Sequence, residues 1–139
     1  MSLTPHGPSF SFLDALEILE PGKRARGRKR LDPAAAYFAD HFPGNPLMPG
    51  VLLIECAAQT AGAFWMQTRE AEPQQRPTQL FLAGVQQFRF VKAVLPDETI
   101  KVDVTLEKDF GALAQFDAVL RVQDAVVAQG KIAFSRALK

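Results

Sequence analysis

The chain has 139 residues, 47% of them hydrophobic and 22% charged, which suffices for one domain with a single hydrophobic core. A formal net charge of +1 gives no general attraction to nucleic acid or to an anionic membrane, so we expect neither as a partner. The one cysteine, Cys56, excludes an intrachain disulfide and fits a reducing cytoplasm. The N-terminus lacks the basic and apolar regions of a signal peptide. We expect one cytoplasmic domain over residues 1–139, with residues 1–11 loosely held.

The first predicted elements are short. Phe12–Leu19 favours a short helix or strand, and Glu20-Pro21-Gly22 is a turn signal that separates it from Lys23–Leu31. Asp32-Pro33-Ala34 then predicts an N-cap with proline at N1 of a short helix that ends before His41.

A strongly apolar helix follows, from Pro49-Gly50 to about Arg69. Leu47–Met66 contains a single charge, Glu55, and a carboxylate within a membrane span costs roughly 2.5–3.5 kcal/mol on insertion scales. We therefore favour a buried core helix over a membrane span. Residues 70–79 are predicted to be a polar, proline-containing linker.

After the linker the hydrophobic period changes to two. Apolar residues alternate with polar ones over 99–107, 116–122 and 126–134, with turns at Lys108–Gly111 and Gln123–Ala125. This pattern indicates a β-meander with one buried face. The sequence thus predicts an α+β fold in which a long antiparallel sheet covers one apolar helix.

The segment from His41 to Glu55, HFPGNPLMPGVLLIE, is the leading candidate for chemistry. Its loop contains Pro43, Gly44, Pro46, Pro49 and Gly50. These residues leave the backbone little freedom, and a stiff loop can hold side chains where a reaction needs them. A histidine and a glutamate are the usual residues for removing and donating protons.

The same stretch, HFPG-NPLM-PGVLLI-ECAAQ (His41–Gln59), resembles the signature of the 3-hydroxyacyl-acyl-carrier-protein dehydratases of fatty-acid synthesis. LEILEPGK (Leu16–Lys23) is similar to the first hairpin of that family, and LAGVQQFRF (Leu82–Phe90) to its strand after the helix. The resemblance implies a hot-dog fold. We expect no cofactor. The resemblance also implies a homodimer or a trimer of dimers, in which each site takes its histidine from one chain and its glutamate from the other.

The resemblance also implies roles for His41, Leu47 and Gly50, and the surrounding residues indicate roles for Glu55 and Gln59. His41 would remove a proton from C2 of the acyl thioester, with its other ring nitrogen held by the carbonyl of Leu47. Glu55, desolvated by apolar neighbours, would donate a proton to the departing 3-hydroxyl. The N–H of Gly50 would stabilise charge on the thioester oxygen. Gln59, one helical turn after Glu55, would hydrogen-bond Glu55 or the substrate.

Each of these roles has a simpler alternative. His41 could make only a structural hydrogen bond, Glu55 could be an ordinary salt-bridged helix residue, and Gly50 could serve only to start the helix. We interpret Cys56 as an inert buried thiol. No spacing of histidine, cysteine or carboxylate residues suggests a metal site.

A run of basic residues, KRARGRKR (Lys23–Arg30), is a separate signal. At strand period, Arg24, Arg26, Arg28 and Arg30 share one face. The run is either a solvated strand or a docking surface for an acidic acyl carrier protein. We assign Arg24, Arg26 and Arg28 to that docking surface. Nucleic-acid binding is a weaker alternative, because aromatic residues are not interleaved with the basic ones.

The sequence therefore predicts a hydro-lyase that converts 3-hydroxyacyl thioesters, borne on acyl carrier protein, to trans-2-enoyl thioesters. A thioesterase of the same fold, in which Glu55 activates water, and a non-catalytic acyl-thioester-binding protein are the alternatives. Leu80 and Phe81 lie nearest to where the resembling family commonly has a tyrosine that gates its acyl tunnel. The acyl chain length therefore stays open.

Overall fold

The computed structural model describes Gly7, residues 10–69 and residues 77–138. In chain order these residues form β1 (Ala15–Glu20), β2 (Arg24–Arg30), α1 (Ala36–Asp40), α2 (Gly50–Arg69), β3 (Pro77–Phe90), β4 (Thr99–Asp109), β5 (Leu113–Val122) and β6 (Ala125–Leu138). The strands make one sheet in the order β1-β2-β4-β5-β6-β3, and every neighbouring pair is antiparallel.

The hydrophobic core lies between α2 and one face of the sheet. Helix α2 contacts all six strands, and its side chains Cys56, Phe64 and Trp65 are almost completely buried. The strands supply alternate residues to the same core, such as Ile100 and Val102 of β4, because successive strand side chains point to opposite faces. The predicted α+β arrangement, a long antiparallel sheet around one central helix, is confirmed.

Most predicted elements agree with the structure. Helix α2 begins at Gly50 and ends at Arg69, and the three meander strands are β4, β5 and β6. Residues 12–19 contribute a strand, and β1 pairs with β2 as a hairpin. Among the described residues no helix is long and apolar enough to cross a membrane, and α2 lies in the core.

Three predicted boundaries were wrong. Helix α1 begins at Ala36 after Ala35 as N-cap, because the Asp32 carboxylate accepts the Ala34 N–H at 2.9 Å and the Asp32 carbonyl accepts the Ala35 N–H at 3.0 Å. These bonds form a tight turn in place of a helix start. The linker predicted for 70–79 ends earlier, since β3 starts at Pro77; residues 70–76 lie outside the described residues. The β4–β5 turn falls at 110–112, because β4 stays paired through a bulge near Leu106.

A close approach fixes the β1–β2 hairpin against the helix. Gly27 of β2 is buried, and a Cβ added there would lie 2.5 Å from Oγ1 of Thr60 on α2 and 2.8 Å from Cδ1 of Leu13. Only glycine leaves room for this contact between strand and helix. Because Ala25 and Gly27 face α2, the alternating arginines of β2 face away from it.

Strand β3 forms one end of the sheet. Its 14 residues include large apolar side chains that are exposed, namely Phe81, Leu82, Val85 and Phe90. A long, apolar edge strand is a surface that natural proteins normally cover.

Candidate active site

The loop between α1 and α2 is closed by backbone hydrogen bonds. The His41 N–H donates to the Tyr37 carbonyl at 3.0 Å, and the Leu47 N–H donates to the His41 carbonyl at 2.9 Å. The Met48 N–H donates to the Val94 carbonyl at 2.7 Å and so joins the loop to the segment before β4. Gly44 has a φ of +76°, which glycine adopts without strain. The loop therefore holds His41 in one place.

The His41 ring contacts the Leu47 carbonyl, with Nδ1 3.3 Å from that oxygen. A carbonyl oxygen can only accept, so this contact favours the tautomer that carries hydrogen on Nδ1. The lone pair then lies on Nε2, where a base needs it. The His41 ring also stacks on Phe42, with centroids 4.4 Å apart, which further restricts its rotation.

Glu55 lies on the second turn of α2 and is partly buried. Gln59, one turn later and only 4% exposed, donates from Nε2 to Oε2 of Glu55 at 2.8 Å. The same amide group contacts the segment before β1: Nε2 also donates to the Phe10 carbonyl at 2.9 Å, and Oε1 accepts the Phe12 N–H at 2.7 Å.

Gly50 is the first residue of α2. The first amides of a helix have no partner within the helix, and they carry partial positive charge. The Phe90 ring lies against Gly50, since a Cβ added to the glycine would be 3.2 Å from two of its ring carbons. Any larger residue at position 50 would have to displace Phe90.

The arginines of β2 do have acidic neighbours. Arg26 contacts both carboxylate oxygens of Asp103, at 2.6 and 3.1 Å, and Arg121 also donates to that carboxylate at 2.8 Å. The hydrogen bond to Asp103 raises the pKa of Arg26 above its ordinary value. Arg24 lies 3.6 Å from Glu20 and Arg28 lies 3.3 Å from Glu17. Arg26 is thus a structural ion-pair residue, whereas Arg24 and Arg28 make looser surface pairs.

Cys56 is completely buried, as predicted for an inert thiol. Burial raises its pKa to about 12, so the thiolate needed for nucleophilic chemistry does not form near neutral pH. Within the described ranges, no group of three or more histidine, cysteine, aspartate or glutamate residues could hold a metal ion.

Sequence reasoning missed the segment around Phe10 and Phe12. Residues 1–11 were expected to be loosely held; residues 1–6, 8 and 9 lie outside the described residues, but Phe10 and Phe12 are bonded to Gln59. Phe12 is buried and packs edge-on against Phe10. One signal was available: a glutamine inside an apolar helix must find hydrogen-bond partners when it is buried. The sequence did not say where those partners lie.

Comparisons with known proteins identify the family of the chain. The model of the FabA-like domain matches residues 4–131. The chain is 34% identical over 135 residues to 3-hydroxyacyl-[acyl-carrier-protein] dehydratase FabZ of Roseiflexus sp. strain RS-1, covering 97% of this chain and 92% of that protein. It is 35% identical over 135 residues to the protein of the same name from Caldicellulosiruptor bescii, covering 97% and 94%.

A solved structure, the dehydratase heterocomplex ApeI:P from Xenorhabdus doucetiae, has a TM-score of 0.82 to this chain. The similarity covers 99% of this chain and 90% of that one, at 15% identity, and so speaks for the fold alone. The predicted hot-dog fold is confirmed by this likeness. Because the family model spans most of the sequence and the relatives align over nearly its full length, the chain belongs to the FabA-like domain family.

Proposed function

We propose that this protein is a hydro-lyase that dehydrates 3-hydroxyacyl thioesters to trans-2-enoyl thioesters in fatty-acid or related acyl-chain synthesis. The observation that carries the proposal is the Nδ1 contact between His41 and the Leu47 carbonyl, which leaves Nε2 as a base. The buried amide of Gln59 donates a hydrogen bond to Glu55, one turn earlier on α2. This contact supports Glu55 as the acid of an acid–base pair. The relatives that align over nearly the whole chain are named as dehydratases of this kind.

The proposed reaction assigns one step to each group. Nε2 of His41 takes the proton from C2 of the thioester, and the electron pair of the broken C2–H bond forms the C2=C3 double bond. Negative charge that develops on the thioester oxygen is stabilised by the Gly50 N–H at the start of α2. The C3–O bond breaks as Glu55 gives its proton to the leaving hydroxyl, which departs as water. Return of the proton from His41 to Glu55 restores the starting state.

We further propose that the active unit is a homodimer joined through β3. The edge position of β3 and its exposed apolar side chains support a second copy of this chain as its partner, because closed two-fold pairing would cover both edges at once. Each site would combine His41 of one chain with Glu55 of the other.

The substrate carrier is proposed to be acyl carrier protein. The arginine face of β2, defined here as Arg24, Arg26 and Arg28, is the candidate surface for this acidic partner. The side chains of Arg24 and Arg28 are 49% and 41% exposed, and exposed pairs of this kind are worth only about 0–1 kcal/mol, so their partners can be exchanged. Arg26 is paired with Asp103, so it would add to the positive electrostatic potential of the surface without contacting the carrier directly.

The single buried cysteine fits the proposed cytoplasmic location.

The decisive experiment follows enoyl absorbance when the purified protein is incubated with 3-hydroxyacyl thioesters of several chain lengths. Dehydration gives an absorbance change without release of free thiol. Thiol release without enoyl formation would replace the proposal with a thioesterase, and acyl binding with neither reaction would replace it with a binding protein.

A further inference from the structure

Strand β3 contains a β-bulge near its end. The register against β6 shifts between Gln86 and Arg89, so that two residues of β3, Gln87 and Phe88, lie opposite the single residue Gly130. Gln87 has a φ of +52°, a conformation that residues other than glycine adopt uncommonly. Phe88, the second residue of the bulge, packs against the hydrophobic core.

The missing side chain of Gly130 is what makes room for Phe88. A Cβ added at position 130 would overlap Cδ2 of the Phe88 ring and would lie 2.6 Å from the Phe88 Cα and 2.7 Å from its Cγ. Non-bonded carbon atoms pack at about 3.5–4.0 Å, so any side chain at 130 would displace both the ring and the bulge. Gly130 therefore provides a recess in the sheet that Phe88 fills.

The Phe88 ring belongs to an aromatic pair that reaches the proposed site. Phe88 and Phe90 have ring centroids 5.6 Å apart, and the Phe90 ring lies against Gly50, 3.2 Å from a Cβ added there. The Gly50 N–H is the proposed donor to the thioester oxygen. The aromatic pair, Phe88 and Phe90, thus lies beside the point where the acyl group of the substrate begins.

Beyond the aromatic pair, β3 continues as an uncovered apolar row. Leu82 and Val85 pair with Phe134 and Ile132 of β6, which are core residues, and directly paired side chains share one face of a sheet. Leu82 and Val85 therefore point to the side of the sheet on which α2 lies, yet they are 48% and 39% exposed. An acyl chain that extends from Gly50 past the aromatic pair would cover this row.

We propose that Gly130 and Phe88 are a specificity-determining pair, in which the glycine keeps the ring against the sheet and so leaves room for a long acyl chain. The inference rests on the acyl site of the proposed function, in which the thioester lies at Gly50. The substrate class is long-chain 3-hydroxyacyl thioesters, whose chains reach Leu82 and Val85. A short acyl group ends before Phe88 and does not depend on the pair.

The first test adds a methyl group at position 130. Gly130→Ala should push Phe88 into the path of the acyl chain, so kcat/KM for 3-hydroxydodecanoyl pantetheine should fall roughly 10–100-fold, as for one misfitting carbon group in an apolar pocket, while kcat/KM for 3-hydroxybutyryl pantetheine should change less than about threefold. The matched control is Gly84→Ala, whose added Cβ would be 3.9 Å from the nearest side-chain atom and which should leave the ratio of the two values unchanged.

The second test removes the ring that the methyl group displaces. Adding Phe88→Ala to Gly130→Ala should return the dodecanoyl-to-butyryl ratio to within about threefold of wild type, because the two positions are in contact and their effects should not add. Phe110→Ala, which removes a 72% exposed ring between β4 and β5, is the control for loss of an aromatic residue and should restore nothing. Should Gly130→Ala not fold, Phe88→Trp enlarges the ring over an unchanged glycine and should lower the same ratio.

Equal losses on both substrates, in Gly130→Ala or in Phe88→Trp, would overturn the proposal. No recovery in the double variant would overturn it as well.

Binding gives a readout that does not depend on turnover. The Kd of saturated dodecanoyl pantetheine, measured by calorimetry, should rise roughly 10–100-fold in Gly130→Ala and return toward the wild-type value in the double variant. This pattern without any enoyl product from the wild-type chain would remove the proposed dehydration and still support the specificity pair. Enoyl product with an unchanged substrate ratio in Gly130→Ala would overturn the pair and leave the proposed function in place.

Discussion

The two proposed catalytic side chains are held in different ways. His41 is fixed by a short loop, in which its ring contacts a carbonyl only six residues later. Glu55 is fixed by a helix neighbour whose own partners are 47 and 49 residues away. A rigid local loop suits a base that must keep one tautomer, whereas the acid depends on tertiary contacts of the buried Gln59.

Substitution of either residue tests the assigned roles. His41→Ala removes the base and Glu55→Gln removes the acidic proton, so each should lower kcat about 10²–10⁴-fold, the usual contribution of general acid–base catalysis. Neither side chain is fully buried, so both variants should unfold near the wild-type temperature. The measurement is enoyl absorbance together with circular dichroism. Turnover close to wild type in a folded variant would remove that residue from the mechanism.

At this scale the sequence could predict local pairs but not distant partners. Helical spacing predicted the contact between Glu55 and Gln59, the family resemblance implied the one between His41 and Leu47, and the structure contains both. The bonds from Gln59 to Phe10 and Phe12 were not predictable, because nothing in an N-terminal segment of mixed composition indicates which helix face it will meet.

At the scale of elements, the junction between β2 and α2 is a close contact that depends on a glycine. Gly27→Ala would place a methyl group 2.5 Å from Oγ1 of Thr60 and 2.8 Å from Cδ1 of Leu13. We expect the free energy of unfolding to fall by about 1–3 kcal/mol, as for an overpacked core. Urea unfolding measures the change.

Two further variants make that prediction specific. Gly84→Ala on β3 is the matched control, since its nearest side-chain atom, the Cβ of Ala133, would be 3.9 Å away; the effect should stay within about 0.5 kcal/mol. Adding Thr60→Ala to Gly27→Ala should recover part of the loss, because it removes the clashing oxygen. Strictly additive effects of the two substitutions would contradict the proposed contact.

The arginine face is the second feature at this scale. Arg24→Gln and Arg28→Gln should each raise KM for carrier-linked thioesters while leaving a short pantetheine thioester unaffected. Added salt should reduce the difference, because exposed charges are screened over about 10 Å at 0.1 M. Lys131→Gln on β6 is the control for an equal loss of charge on the same sheet; Lys131 pairs with Glu107 at 2.8 Å. Equal losses on both substrates would indicate a damaged strand and no docking.

Element boundaries show where sequence patterns suffice. Helix α2 was predictable from the Pro49-Gly50 start and the apolar run that follows, since both are local signals. The start of α1 was not, because the side chain and carbonyl of Asp32 bond to the next residues, and so the signal that usually marks an N-cap here marks a turn. Proline at 33 is equally suited to both structures.

At the scale of the whole molecule, strand order is what the sequence could not supply. A period of two identifies strands and their buried faces, but it does not say that β3 pairs with β6 and so becomes an edge. The wrapping of the sheet around α2 was predictable, because a helix apolar on all sides requires cover from the strands that follow it.

The edge position of β3 leads to the last prediction. If two chains pair through β3 and each site takes His41 from one chain and Glu55 from the other, inactive His41→Ala and Glu55→Ala chains should complement each other. Unfolded and refolded together at equal concentration, they should pair at random, so about half of the dimers are mixed and each has one intact site of two. The expected activity is therefore roughly a quarter of wild type. The control is each variant refolded alone, which should stay inactive. Verified mixed dimers as inactive as their parents would mean that each site is built within a single chain.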